Sequence, residues 1–140
     1  MEFVHVATRT KDLAKAIGFY TEVASVAIVD LTHPENPQTL GYIWTPELAS
    51  DLAMGDHEAF IIGNEVSPAG ESMIWFFLVD LTDPAHTRIA RRAQLPGQAE
   101  AMAVPGRYAY VAAGYGGLHI VDAAEARLLR TMSANDLRSP

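Results

Sequence analysis

Two stretches of the chain repeat each other at an offset of 50 residues. Val29–Thr32 recurs as Val79–Thr82, and in both copies a proline follows two residues later. A third copy begins at Gly117–Asp122, 42 residues after its counterpart, because the segment around Asn64–Ser72 has a shorter equivalent. Repeats of roughly 40 to 50 residues with short apolar strands and turn residues are typical of β-propeller blades. The repeat therefore predicts a mainly β, propeller-type protein with about three blades.

Each repeat reads as a meander of four short antiparallel strands. A strand that ends in Val-Asp is followed by a Leu-Thr-x-Pro turn, and the next strand is expected at Gln38–Trp44 and at Arg88–Leu95. Two further strands are expected, around Ala49–Met54 and Ala59–Gly63 in one copy. The sequence thus predicts a four-stranded antiparallel sheet as the repeating unit.

The aspartates that end these strands, Asp30, Asp80 and Asp122, could be read as a ring of carboxylates. Each precedes a turn, however, and aspartate side chains accept hydrogen bonds from the backbone of such turns. We therefore interpret them as turn caps. The glycine-rich stretch Gly114–Gly117 lacks a following lysine and helix, so it is interpreted as a hairpin loop and not as a phosphate site.

The repeats divide the chain into a single repeat domain, 1–140, with a partial unit at 1–24 and repeats at about 25–72, 73–116 and 117–140. Closed propellers usually have four to eight blades, so three stacked sheets would expose an apolar face at each end. We therefore expect a homodimer or a higher closed ring, joined through the aromatic residues of Trp75–Phe77 or Tyr108–Tyr110.

Composition limits the classes of partner. The formal net charge of −7 argues against nucleic acid, and no apolar run is long enough to cross a membrane. Without cysteine there is neither a disulfide framework nor thiolate chemistry. No export signal is visible at the start, so the chain as written is expected in the cytoplasm. A protein partner or self-association remains as the expected interaction.

One basic cluster, Arg88, Arg91 and Arg92, bears on the question of nucleic acid. In a regular strand Arg88 and Arg92 share a face and Arg91 takes the other. The cluster is therefore not expected to form a continuous basic stripe.

The segment Leu118–Asp122, together with Ala99–Val104 and Gly106–Ala112 before it, resembles the LVIVD repeat of bacterial β-propellers. The resemblance covers roughly residues 25–130. It implies a propeller scaffold and says little about activity, because such families are recognised by their strands. Proteins of this family are often exported, which qualifies the cytoplasmic expectation.

A second resemblance concerns the first 23 residues. Leu13, Ile17 and Tyr20 have the spacing of an amphipathic helix, which predicts a helix over about 11–23. The segment is similar to the opening strand and helix of glyoxalase-type vicinal-oxygen-chelate proteins. That resemblance implies a divalent metal held by His5, with Glu58 as a second ligand.

The function expected from these observations is a non-enzymatic binding or interaction module, with neither catalytic residues nor a cofactor. His5, His33, His57, His86 and His119 are spread over different repeats, and many carboxylates fall at turns. Two alternatives stay open. One is a metal-dependent lyase or dioxygenase-like enzyme of the chelate class, and the other is a small acidic inhibitor of a basic protein.

Overall fold

The computed structural model describes residues 3–8, 15–20, 25–30, 33, 35–44, 49–55, 57–83 and 85–138. In these ranges the chain forms twelve β-strands, a 3₁₀ turn at Gly114–Gly116 and a short helix α1 at Ala134–Arg138. The strands form three four-stranded sheets, which we call sheets I, II and III in chain order.

Sheet I contains β1 (Phe3–Thr8), β2 (Lys15–Tyr20), β3 (Ser25–Asp30) and β4 (Gln38–Trp44). Sheet II contains β5 (Ala49–Met54), β6 (Glu58–Val66), β7 (Ser72–Asp80) and β8 (Arg88–Pro96). Sheet III contains β9 (Ala101–Ala103), β10 (Tyr108–Ala112), β11 (Leu118–Asp122) and β12 (Arg127–Met132).

Each sheet is an antiparallel meander in which strands that follow each other in the chain are paired. The first strands β1, β5 and β9 lie next to one another, whereas the fourth strands are farther apart. The sheets therefore fan out from a common inner edge, as blades do in a propeller, and they do not close into a ring. The prediction of a mainly β, propeller-type fold with about three sheets is confirmed.

The predicted N-terminal helix is wrong where the structure describes it. Residues Lys15–Tyr20 form strand β2, which pairs with both β1 and β3. Gly18, Phe19 and Tyr20 are weak helix formers, and aromatic and β-branched residues favour strands. Pairing on both edges satisfies the backbone donors and acceptors of β2, so the tertiary context overrides the helical spacing. The rest of the predicted helix, 11–14 and 21–23, lies outside the described residues.

The sheets are offset from the sequence repeats. The repeat 25–72 contains the last two strands of sheet I and the first two strands of sheet II, and the repeat 73–116 joins sheets II and III in the same way. Each repeat therefore ties two neighbouring sheets together by a covalent connection.

Sheet II lies between the other two and is buried on both sides. We call the side of a sheet that points towards the next sheet its front face and the opposite side its back face. In β6, Phe60 and Ile62 on the front face pack with sheet III, while Ile61 on the back face packs with sheet I. Side chains that alternate between the two faces are typical of a β-strand. The two apolar clusters are therefore the contacts between sheets.

Sheet II contributes its largest side chains to these two clusters. Phe76 is fully buried against sheet III, and Phe77 is 1% exposed against sheet I. Burying one such side chain contributes about 1.5–3 kcal/mol relative to leaving it exposed. Trp75 is half-buried on the back face, where its indole N–H donates to Glu65 at 2.6 Å.

Polar side chains add direct links between sheets II and III. Asn64 of β6 bonds both backbone groups of Ala99, accepting from its N–H at 2.7 Å and donating to its carbonyl oxygen at 3.3 Å. The Asp51 carboxylate accepts from the backbone N–H of Met102 at 2.9 Å. His119, which is fully buried, lies 2.7 Å from the carbonyl oxygen of Pro96. These bonds fix the position of β9 and β11 against sheet II.

All three sheets have a β-bulge at the same place, two residues into the fourth strand. The extra residue is Leu40 in sheet I, Ala90 in sheet II and Leu129 in sheet III. A bulge changes which residues share a face beyond it.

The bulge at Ala90 overturns the expected arrangement of the arginines. Arg88 and Arg91 lie on the front face of sheet II, and Arg92 lies on the back face. Arg88 pairs with Asp80 at 3.5 Å, and Arg92 stands over the Trp75 ring at 5.6 Å. The cluster is thus divided between two faces, and each arginine has its own partner within the chain.

Candidate functional site

The front face of sheet III is the candidate surface. Paired residues of antiparallel strands point to the same side of a sheet, so the register assigns its members. It consists of three rows across the strands. The first row is Ala101, Ala112, Leu118 and Met132; the second is Ala103, Tyr110, Ile120 and Arg130; and the third is Tyr108, Asp122 and Arg127.

The front face of sheet II has the same three rows at equivalent register positions. Its first row is Asp51, Ile62, Phe76 and Ala93; its second is Ala53, Phe60, Leu78 and Arg91; and its third is Glu58, Asp80 and Arg88. Both second rows run from alanine through an aromatic and an aliphatic residue to arginine. Both third rows place an aspartate beside an arginine. The two faces are therefore copies of one design.

The two copies differ in burial. Phe60 is 5% exposed and Phe76 is fully buried, because sheet III covers them. Their counterparts are Tyr110, which is 36% exposed, and Leu118, which is half-buried. Among the described residues, neither Tyr110 nor Leu118 belongs to an apolar cluster between sheets. Sheet III therefore presents an apolar face at positions that sheet II buries.

The back face of sheet I is the other end of the stack. Ile28 and Ile43 point towards sheet II and are buried, so the alternation of β3 and β4 places Val29 and Tyr42 on the back face. Tyr42 is 49% exposed and Val29 is half-buried. Val79, the counterpart of Val29 in sheet II, is fully buried against sheet I.

A charged group borders the front face of sheet III. Asp122 is 4% exposed, and its carboxylate lies 3.5 Å from the guanidinium of Arg107 and accepts from the backbone N–H of Glu125 at 3.2 Å. Arg107 also stands over the ring of Tyr108 at 5.5 Å. Two shallow cavities of about 270 and 480 Å³ share Arg107 and Ala124 in their walls. This arrangement can orient a polar group at the rim, but it brings no nucleophile and base together.

The turn aspartates of sheet II cap the backbone as predicted. The Asp80 carboxylate accepts from the hydroxyl of Thr82 at 2.6 Å and from its backbone N–H at 2.9 Å. These bonds, with a smaller contribution from Arg88, hold the pKa of Asp80 below its ordinary value. The Asp83 carboxylate makes hydrogen bonds with the side chain of His86 and with the backbone N–H of Ala85. These bonds lower the pKa of Asp83. The carboxylate of Asp122 likewise accepts from the backbone N–H of Glu125. The interpretation as turn caps is therefore confirmed for Asp80 and Asp122.

Of the two ligands implied for the alternative metal site, the structure describes the side chain of Glu58 but not that of His5. Glu58 begins β6 in the third row of sheet II, half-buried beside Gly55. His5 lies in β1, and its side chain is outside the described part of the chain. Among the residues that the structure describes, no group of three histidine, aspartate or glutamate side chains is placed to hold a metal ion. The metal site stays a prediction.

The other histidines also occupy separate places. His33 and His86 are exposed in turns, 3.9 Å from Glu35 and 2.8 Å from Asp83. His57 is exposed before β6, and His119 is buried between sheets II and III.

The structure narrows the choice between the two aromatic segments expected at a join. Phe76 and Phe77 are buried by sheets III and I of the same chain, whereas Tyr108 and Tyr110 of the other segment are exposed. The front face of sheet III was not recognisable from the sequence as a surface, because Tyr110, Ile120 and Arg130 come from three strands. The signal that could have revealed it is the 42-residue alignment of Ile120 with Leu78.

Within the described ranges, no helix has the length and apolar character needed to cross a membrane. The family model of the LVIVD repeat matches residues 96–124, which run from the end of β8 through β9, β10 and β11. The comparison gives no support to a chelate-type segment at the N-terminus. A comparison with curated proteins yields no match. The chain therefore contains an LVIVD repeat, and its three sheets have the propeller-like arrangement that this resemblance implies.

Proposed function

We propose that the protein is a non-enzymatic interaction module, and that the front face of sheet III is the interface through which it self-associates. One observation carries the proposal. The face repeats, row by row, the front face of sheet II, which is buried under a neighbouring sheet, yet its own central residue Tyr110 is 36% exposed. Apolar rows with a polar rim are the usual anatomy of a protein interface.

The composition of the face supports this role. Its centre holds Tyr110, Leu118 and Ile120, and arginine and tyrosine stand at its border. Tyrosine and arginine are enriched at energetically important interface positions. The pair of Asp122 and Arg107 at the rim adds a fixed charge pattern that can set the orientation of a partner.

Thiol labelling tests the proposal, because the chain has no cysteine of its own. Tyr110→Cys places one thiol in the second row of the face, and Tyr115→Cys places one in the fully exposed β10–β11 turn. We expect maleimide labelling at position 110 to slow as protein concentration rises, while labelling at position 115 stays constant. Equal and constant rates at both positions, with unchanged circular dichroism, would contradict the proposal.

A further inference from the structure

We infer that the partner of the front face of sheet III is the back face of sheet I of a second copy of this chain, so that two copies close a ring of six sheets. The inference rests on the proposed function, since it names the occupant of the same face. Four observations support it.

The first is that the two ends of the stack match the two sides of an interface already present in the chain. The front face of sheet III corresponds by register to the front face of sheet II. The back face of sheet I carries Val29, which corresponds by the 50-residue offset to the buried Val79 of sheet II. Docking one end on the other repeats the contact between neighbouring sheets, and no new kind of interface is required.

The second is the number of sheets. The described residues of one copy form three sheets, fewer than the four to eight blades of closed propellers, and two copies together supply six. A head-to-tail interface that closes after two copies forms a ring with two equivalent joins related by a two-fold axis.

The third is charge complementarity. At the existing join between sheets II and III, Arg91 from the second row pairs at 3.9 Å with Glu125, an acid of the turn between β11 and β12. Arg130 occupies the position of Arg91 in sheet III and is exposed. The corresponding turn of sheet I, between β3 and β4, carries the exposed acid Glu35. Head-to-tail docking brings Arg130 of one copy towards Glu35 of the other.

The fourth is the presence of an exposed tyrosine on each of the two end faces of the stack. Tyr110 and Tyr42 each combine a large apolar ring with a hydroxyl, and both are between a third and a half exposed. Tyr110 replaces the buried Phe60, and Tyr42 stands at the position of Arg92. Tyrosine tolerates both water and burial, which suits faces that are exposed in the single chain and covered in a pair.

Cross-linking between two single-cysteine variants tests the geometry. Tyr42→Cys marks the back face of sheet I, and Tyr110→Cys marks the front face of sheet III. Neighbouring sheets lie about 10 Å apart, within reach of a flexible bismaleimide linker. The two proteins are mixed at low concentration, concentrated, and then cross-linked. We expect the mixture to give several-fold more covalent dimer than either variant alone.

Controls and a second pair keep the outcome decisive. Tyr115→Cys mixed with Tyr42→Cys is expected to give only background product, because position 115 lies in an exposed turn. Ala103→Cys, on the same face as Tyr110, replaces Tyr110→Cys if that variant is poorly folded by circular dichroism.

Two results would overturn the inference. If Tyr110→Cys alone forms the covalent dimer as well as the mixture does, the face docks on its own copy, and the proposed function survives without the head-to-tail ring. If no pair cross-links and position 110 is labelled at the same rate at all concentrations, both the inference and the proposed function fail.

Discussion

The front face of sheet II and the front face of sheet III share a register and differ in what covers them. Phe60 and Phe76 are buried under sheet III, whereas Tyr110 and Leu118 at the same positions have no sheet of this chain in front of them among the described residues. Exposure in this molecule is therefore set by the place of a sheet in the stack. The pattern of apolar residues alone does not decide it.

The residues at the two faces also differ in size and polarity. Ile62 of the covered face is replaced by Ala112, and the two phenylalanines are replaced by tyrosine and leucine. Smaller side chains and a hydroxyl reduce the apolar area that meets water when the face is open. The uncovered face thus keeps the shape of an inter-sheet contact at a lower penalty for exposure.

The largest difference is expected between Phe76→Ala and Leu118→Ala. Truncating the fully buried Phe76 leaves a cavity between sheets II and III and is expected to lower the free energy of unfolding by about 3–5 kcal/mol. Truncating Leu118 is expected to cost about 1 kcal/mol when copies are separate, because only part of its area is buried. Urea unfolding at low protein concentration measures both, and equal costs would contradict the comparison.

The polar links of the covered face give the next largest effect. Asn64→Ala leaves the N–H of the buried Ala99 without its acceptor, which is expected to cost about 1–3 kcal/mol. The corresponding change on an exposed polar side chain, Gln94→Ala, is expected to stay within about 0.5 kcal/mol. Thermal unfolding compares the two, and an unchanged melting temperature for Asn64→Ala would show that Asn64 does not hold sheet III.

The third row of the covered face, on sheet II, gives a prediction on pH. The pKa of Asp80 is lowered in the folded protein by the side chain and backbone of Thr82. A lowered carboxyl pKa stabilises the fold above the ordinary value of 3.8, and that stabilisation is lost as pH falls through the lowered pKa. Asp80→Asn should therefore reduce the loss of stability in this acid range. Urea midpoints measured from neutral pH down to acid check this, and identical profiles would contradict it.

The smallest effect is expected for the charges at the rim. Arg130→Glu should weaken self-association by about 0.2–1 kcal/mol, and Glu35→Arg in the same chain should restore it. Salt screens exposed charges, so the difference should shrink as ionic strength rises. Dissociation constants from sedimentation measure the single and the double variant. If the double variant associates no more tightly than Arg130→Glu alone, Arg130 and Glu35 do not meet at the join between copies.

Much of the fold could be predicted from the sequence because the repeat is carried by local signals. In the Asp-Leu-Thr turn, the carboxylate of Asp80 accepts a hydrogen bond from Thr82. This turn and the apolar strands beside it specify a meander, and no distant residue is needed to predict it. The predicted strand Gln38–Trp44 agrees with β4 residue by residue.

The errors arose where distant pairing decides the structure. The helical spacing around Ile17 is real, but strands on both sides of β2 outweigh it. The bulge at Ala90 depends on the partner strand, so the sequence could not show that Arg88 and Arg91 share a face. The candidate interface was hidden for the same reason, since Tyr110, Ile120 and Arg130 meet only through register.

Sedimentation equilibrium of the unmodified chain, compared with Tyr110→Glu and Tyr115→Glu, tests the central claim most directly. We predict that the unmodified chain and Tyr115→Glu reach twice the 15.2 kDa mass of one chain at high concentration, with no larger species, because two copies close the ring. Tyr110→Glu should stay at the mass of one chain while keeping its β circular dichroism. An unmodified chain that is monomeric throughout, or Tyr110→Glu that associates as well as Tyr115→Glu, would contradict the account.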